Sequence, residues 1–218
     1  MTGKSPKAQS PGGQSSPAPP RRRVLDPRTG VIIVRVQRGE HHVSQAPDEV
    51  LSAEVASSVS LCCRDPKRNI GGMVCLLLPA ADPEPGGDPS DEQDLSVFIE
   101  RYGAHLLERL FVELEKRGCR KTRLEAKVFG GAVREGYDSA AGPRTLAFIN
   151  RYLEDWGIPV SERITGGRQV RRVQYFPVTG KARVMVLDDS RAPAATALEL
   201  RRSPIMRLEA DGAVEIWD

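Results

Sequence analysis

The chain has 218 residues, 39% of them hydrophobic and 28% charged, with a net charge of +3; this is the range of one soluble domain with room for tails. The positive excess comes largely from Lys4, Lys7 and Arg21–Arg23 rather than from one face of a fold, which removes the electrostatic case for nucleic acid. No apolar run has signal-peptide length or approaches the roughly 20 residues of a membrane span, and Cys62, Cys63, Cys75 and Cys119 form no C-x-x-C pair. A cytoplasmic protein with free thiols and no membrane insertion is therefore expected.

Residues 1–23 are rich in Ser, Pro, Gly, Gln and basic side chains, a composition that cannot offset the entropy of ordering and predicts a disordered leader. Val31 to Val36 is β-branched and predicts the first strand. Arg38-Gly39-Glu40-His41-His42-Val43 follows as a short turn and extended segment, on which the vicinal histidines face opposite ways. At most one of them could approach a site as a base, and exposed surface residues are the plainer account.

Leu51 to Pro79 is the stretch around which the rest is organised. Its two apolar runs, Val55–Cys63 and Met73–Leu78, read as adjacent buried strands: both are short, the second stops at Pro79, and the polar turn Arg64–Asn69 holds Asp65-Pro66. That turn leads into Gly71-Gly72. A Pro/Gly/Asp loop, Ala80 to Ser90, then ends in the acidic helix start Ser90-Asp91-Glu92-Gln93.

Leu95, Phe98, Ile99, Tyr102, Leu106, Leu107, Leu110, Phe111 and Leu114 recur by threes and fours, predicting one long amphipathic helix closed by Gly118 with His105 on its surface. Thr122 to Val128 predicts a strand that runs into a backbone kink at Phe129-Gly130-Gly131-Ala132. A second helix is expected from about Pro143 to Trp156, burying Leu146, Ile149 and Leu153. Ile158–Ile164, Val170–Phe176 and Ala182–Leu187 predict three further strands, joined by Thr165-Gly166-Gly167 and by Pro177-Val178-Thr179-Gly180. Beyond Asp188 the pattern frays, with a weak hairpin expected from Ile205–Leu208 and Ala213–Trp217.

The Gly-Gly pairs at 71, 130 and 166 lack any nucleotide-binding pattern and are expected to permit tight turns around one cleft. His41, His42, Cys62, Cys63 and Cys75 lack ligand spacing, so neither a metal nor another cofactor is expected.

Several separated stretches share a resemblance. Ala56-Ser57-Ser58, then Gly71-Gly72-Met73-Val74-Cys75 running to Pro79, then Leu124 to Gly131 (LEAKVFGG), then Phe176-Pro177-Val178-Thr179-Gly180 resemble, in that order, the motifs of the chemoreceptor glutamine deamidases, the CheD family. The resemblance spans about Val31 to Leu187. It implies a layered α/β/α sandwich with mixed β-sheets over residues 24–188, followed by a C-terminal extension over 189–218. The activity it implies is deamidation of glutamine to glutamate on the cytoplasmic helices of methyl-accepting chemoreceptors, with docking of a CheC-like phosphatase.

The family motif has Gly-Ser-Cys on the first strand and a His after Gly-Gly on the second, oriented by a polar residue five or six positions ahead of the Cys. Those places here hold Ser58, Cys75, and Ser52 or Ala53. A serine hydroxyl is a far weaker nucleophile than a thiolate unless a base lies within hydrogen-bond reach, and Cys75 between Val74 and Leu76 is no base. A weakly active or inactive member, acting as a binding module, is expected. The alternative is an active amidohydrolase with a rebuilt centre, in which Cys75 attacks and His41 or His42 is the base. The bland reading makes Cys75 a small core hydrophobe and Ser57 and Ser58 backbone-bonded hydroxyls.

Overall fold

The computed structural model describes residues 23–78, 89–133, 139–187, 205–208 and 214–217, with side chains described for 23–78, 96–133 and 139–187. In chain order its elements are β1 (Arg23–Leu25), β2 (Ile32–Arg35), β3 (His41–Ser44), β4 (Glu49–Val55), β5 (Val59–Asp65), β6 (Ile70–Leu76), α1 (Pro89–Lys116), β7 (Glu125–Gly130), α2 (Ala141–Asp155), β8 (Val160–Thr165), β9 (Arg171–Phe176), β10 (Lys181–Val186), β11 (Ile205–Leu208) and β12 (Val214–Trp217).

Two five-stranded mixed sheets carry the fold. The first has the order β1-β2-β4-β9-β10 with β2 and β4 parallel; the second has the order β3-β6-β5-β7-β8 with β7 and β8 parallel. Side-chain alternation assigns the layers. Val34, Leu51, Ala53, Val55, Val173 and Tyr175 of the first sheet meet Cys62, Met73, Cys75 and Phe129 of the second in one apolar layer. The other face of the second sheet, with Val59, Leu61, Cys63, Val74, Leu76 and Val128, packs against both helices.

The chain is an α/β fold with mixed sheets, as expected. The layers run sheet, sheet, helices, with α1 and α2 on the same side of the sandwich. Phe111 of α1 stacks on Tyr152 of α2 and on Trp156 at that helix's end, its ring centroid 6.0 Å and 5.1 Å from theirs.

The helices form where the apolar spacing predicts. Twenty-eight residues give α1 a length of about 42 Å. Ile99, Leu106, Leu107, Leu110, Phe111 and Leu114 are buried along its inner face, and each such side chain contributes about 1.5–3 kcal/mol of transfer free energy. Phe98, expected on that stripe, is 38% exposed with Arg101 over its ring. In α2, Ile149 and Leu153 are buried as expected, while Leu146 is half-buried and lies over Gly131. Among the described residues, no helix is long and apolar enough to cross a membrane.

Three expectations need correction. Val55–Cys63 is not one strand: Val55 ends β4 in the first sheet, and Val59 opens β5 in the second. Both segments are apolar because both are central strands, so hydropathy alone hides the crossing. Arg23, counted with the leader, pairs with Val34 in β1–β2 and forms an ion pair with Glu49.

Gly71-Gly72 lies within β6 rather than in a turn. A Cβ on Gly71 would stand 2.8 Å from the Pro177 carbonyl, and one on Gly72 would stand 2.7 Å from Leu110 of α1. The pair is small because the β9–β10 turn presses on one face of β6 and α1 on the other. The remainder of the leader, the 80–88 loop and residues 188–204 lie outside the described residues, as does the 209–213 link of the antiparallel β11–β12 hairpin.

Candidate functional site

Ala56–Ser58 is the bend by which the chain leaves β4 and enters β5. The bend is held by the kink after β7. The Gly131 N–H donates to the Ser58 carbonyl at 2.9 Å and the Ala132 N–H to the Ala56 carbonyl at 2.7 Å. Gly130 has φ +105° and its missing Cβ would lie 2.2 Å from the Ser58 oxygen, so only glycine admits that contact. Gly131, at φ +70°, gives the same clearance to Leu146 of α2. The LEAKVFGG stretch thus builds the floor beneath Ser58, which is fully buried.

Cys75 stands on β6, opposite Ser60 in the β5–β6 ladder. On its other side, the Cys75 carbonyl accepts the Gly39 N–H at 2.8 Å and the Cys75 N–H donates to the Glu40 carbonyl at 3.1 Å. Just beyond, the Thr145 hydroxyl of α2 accepts the Leu78 N–H at 3.0 Å and donates to the Ala141 carbonyl at 2.7 Å. Ser58 lies in the bend just before Val59, whose ladder partner is Leu76, the residue after Cys75.

Ser58 and Cys75 belong to neighbouring segments of the second sheet, whereas Ser52 lies on β4 of the first. Its neighbours Leu51 and Ala53 point into the layer between the sheets. Ser52 therefore faces the outside of β4, beside Arg35 and Gln174.

The vicinal histidines diverge as alternation requires. His41, paired with Val74, places Nε2 at 3.0 Å from Glu113 Oε2 on α1. His42, paired with Met73, places Nε2 at 3.4 Å from Glu49 Oε2 on β4. Burial opposes the Glu49 charge, but hydrogen bonds from Ser44 and His42 and the charge of Arg23 outweigh it and hold the carboxyl below its usual range. His105 is exposed on α1.

None of the four cysteines is in a disulfide, and all four are buried. Cys62 faces the inter-sheet layer and Cys63 the helices, and burial pushes both thiols far up, beyond use as nucleophiles. Among the described residues, no group of three or more His, Cys, Asp or Glu side chains is placed to hold a metal ion.

Two residues escaped the sequence reading. Arg64 reaches from β5 to the Val178 carbonyl in the β9–β10 turn, tying the sheets together at the end of the sandwich away from Ser58. Ser60 sits across from Cys75 with its hydroxyl buried beside the Cys62 thiol. Counting the hairpin register back from Cys75 is the one sequence signal that would have singled it out.

Residues 83–186 match the family model described as CheD chemotactic sensory transduction. A protein of Rhizobium rhizogenes named probable chemoreceptor glutamine deamidase CheD is 42% identical over 170 residues, covering 77% of this chain and 87% of the relative. A protein of the same name from Caulobacter vibrioides is 38% identical over 194 residues, 88% of this chain and 96% of the relative. A third, from Agrobacterium fabrum, is 39% identical over 171 residues, 78% and 89% of the two chains. At these identities and coverages the chain belongs to the CheD family of chemotaxis proteins.

Proposed function

We propose that this protein engages chemoreceptors on a CheD scaffold but deamidates their glutamines very slowly or not at all. The observation that carries the reading is the content of two positions. By the motif resemblance, Ser58 and Cys75 stand where the family has its nucleophile and base, while Nε2 of His41 and of His42 is turned to Glu113 and Glu49. The relatives named as chemoreceptor glutamine deamidases support the receptor as partner. A CheC-like phosphatase is proposed as a second occupant of the same surface.

Hydrolysis of a carboxamide needs attack on its carbon, donors for the oxyanion, and a proton for the departing ammonia. A serine hydroxyl does the first only if a base removes its proton, and a thiol at position 75 neither accepts that proton nor returns it to the leaving group. Loss of such a unit lowers turnover by about 10⁴-fold or more. What remains is the CheD scaffold, whose binding of a receptor does not require those two groups.

The test is mass spectrometry of a chemoreceptor cytoplasmic fragment incubated with the protein, reading the conversion of amide to acid, alongside a pull-down of the same fragment. Binding without conversion is the expected result, with conversion gained in the Ser58→Cys plus Cys75→His double variant. Efficient conversion by the unsubstituted chain would establish the rebuilt centre instead.

A further inference from the structure

We propose that the end of the sandwich built around Asp65 is a docking surface for an acidic protein segment, held by Lys67 and Arg68 from one loop and by Lys116, Arg117, Arg120 and Lys121 from another. It lies apart from Ser58. β5 runs from Val59, beside Ser58, to Asp65, and its 7 residues put about 20 Å between the two ends.

The buried Asp65 carboxylate draws the two loops together. Its Oδ1 accepts the Lys67 N–H of the β5–β6 turn at 3.0 Å, and its Oδ2 accepts the Arg120 N–H of the segment between α1 and β7 at 3.2 Å. Arg123 Nε donates to both oxygens, at 3.1 Å and 2.9 Å. The Arg68 guanidinium lies over Gly118, where a Cβ would stand 2.8 Å from its Nη2. Arg123 thus matches the Asp65 charge inside, and the cations of both loops are left on one exposed surface.

Arg117 pairs with Glu113 at 2.8 Å, but among the described residues Lys67, Arg68, Lys116 and Arg120 have no carboxylate within ion-pair distance. The carbonyl end of α1 accounts for Lys116 but not for Lys67, Arg68 and Arg120, which come from loops. Like charges gathered in this way repel one another, and a partner carrying carboxylates relieves the repulsion. The charge balance of the whole chain conceals the surface, because its two stretches are separated in sequence by β6 and most of α1.

The neighbouring groups favour protein carboxylates over phosphates. Glu113 and Glu115 stand among the cations and divide them into separate positive points. They would oppose a phosphodiester backbone, which is charged at about every 3.4 Å along each strand. Apolar surface adjoins the cations as well. Val112, 47% exposed, lies one helical turn before Lys116, and Lys121 Nζ is 4.2 Å from the centre of the half-buried Trp156 ring. Spaced carboxylates with aliphatic side chains between them fit both features.

The experiment is fluorescence anisotropy of a labelled peptide of repeated Glu-Glu-Ala-Leu, titrated with the full chain at low and at physiological salt. The peptide binds, and more weakly as salt screens the charges. Lys67→Glu, Arg68→Glu and Arg120→Glu together weaken binding by about tenfold or more. Arg163→Glu, Lys181→Glu and Arg183→Glu change the net charge equally from exposed positions on β8 and β10. That control leaves the affinity within about twofold. Amide NMR shifts induced by the peptide in the unsubstituted chain gather at residues 65–69 and 115–123.

Absence of binding, equal weakening by the two triple variants, or shifts gathered elsewhere overturns the proposal. A labelled DNA duplex held more tightly than the peptide through the same three cations overturns it too, by making this a nucleic-acid surface. None of these readouts depends on whether the chain deamidates glutamine.

Discussion

The Arg64 guanidinium of the second sheet closes on the Val178 carbonyl of the first, with Nε at 3.1 Å and Nη2 at 2.7 Å. The same Nη2 also donates to Asn69 Oδ1 at 2.9 Å. One half-buried side chain therefore fastens the β9–β10 turn and the β5–β6 turn together. Arg64→Ala removes charge-assisted hydrogen bonds that Lys cannot replace in a fork, and should destabilise the fold by about 2 kcal/mol. Chemical denaturation compares the two variants: Arg64→Lys recovers only part of the loss.

Gly130 offers a contrast with Gly157. Both have positive φ, +105° and +63°, but a Cβ at Gly130 meets the Ser58 carbonyl, whereas one at Gly157 meets nothing within 4 Å. Gly157→Ala should lose about 1 kcal/mol, from backbone strain alone. Gly130→Ala adds overpacking against main chain and should lose about 3 kcal/mol or more. Equal midpoints in urea for the two variants would refute the tight contact beneath Ser58.

Asp65 is a fully buried carboxylate at the end of β5. Burial disfavours its charge, but Arg123, with Nε at 2.9 Å and Nη2 at 2.5 Å, and the Arg120 N–H at 3.2 Å outweigh that and hold its pKa below the usual value. A carboxyl whose folded pKa is depressed contributes stability above its unfolded pKa and loses it as pH falls through the folded one. The wild type should therefore lose stability in acid from about pH 4 downward. Asp65→Asn should be less stable at neutral pH and show a shallower acid dependence, read from denaturation midpoints against pH.

Cys62 and Cys63 are 1% and 0% exposed, with thiols pushed far up by burial. Iodoacetamide at mildly alkaline pH should leave both unmodified in the folded chain and label both after unfolding in urea. Peptide mapping by mass spectrometry reads the sites. Labelling of Cys62 under native conditions would mean that the layer between the sheets opens readily.

Much of this arrangement was legible in the residues. The stripe from Ile99 to Leu114 was readable because a helix packed on one face repeats its apolar positions every three or four residues. The final strands were readable because turn residues bracket them. The crossing at Ala56–Ser58 was not: Val55 and Val59 are both central-strand residues, and burial on both faces erases the alternation that would mark a change of sheet.

The adjacency of β5, which follows Ser58, and β6, which carries Cys75, was legible from two apolar runs joined by a polar turn. The displacement of Ser52 to the outer face was not, because its direction depends on where β4 ends. Ser60 was equally hidden, since its place opposite Cys75 becomes visible only once the ladder partners are known.

The bend at Ala56–Ser58 joins the two β layers within three residues, so Ser58 is a fixed corner rather than a point along a strand. Any sliding of one layer past the other must be absorbed at this joint. Loosening the far end of the sandwich, where Arg64 clasps Val178, should therefore be felt at Ser58 as well.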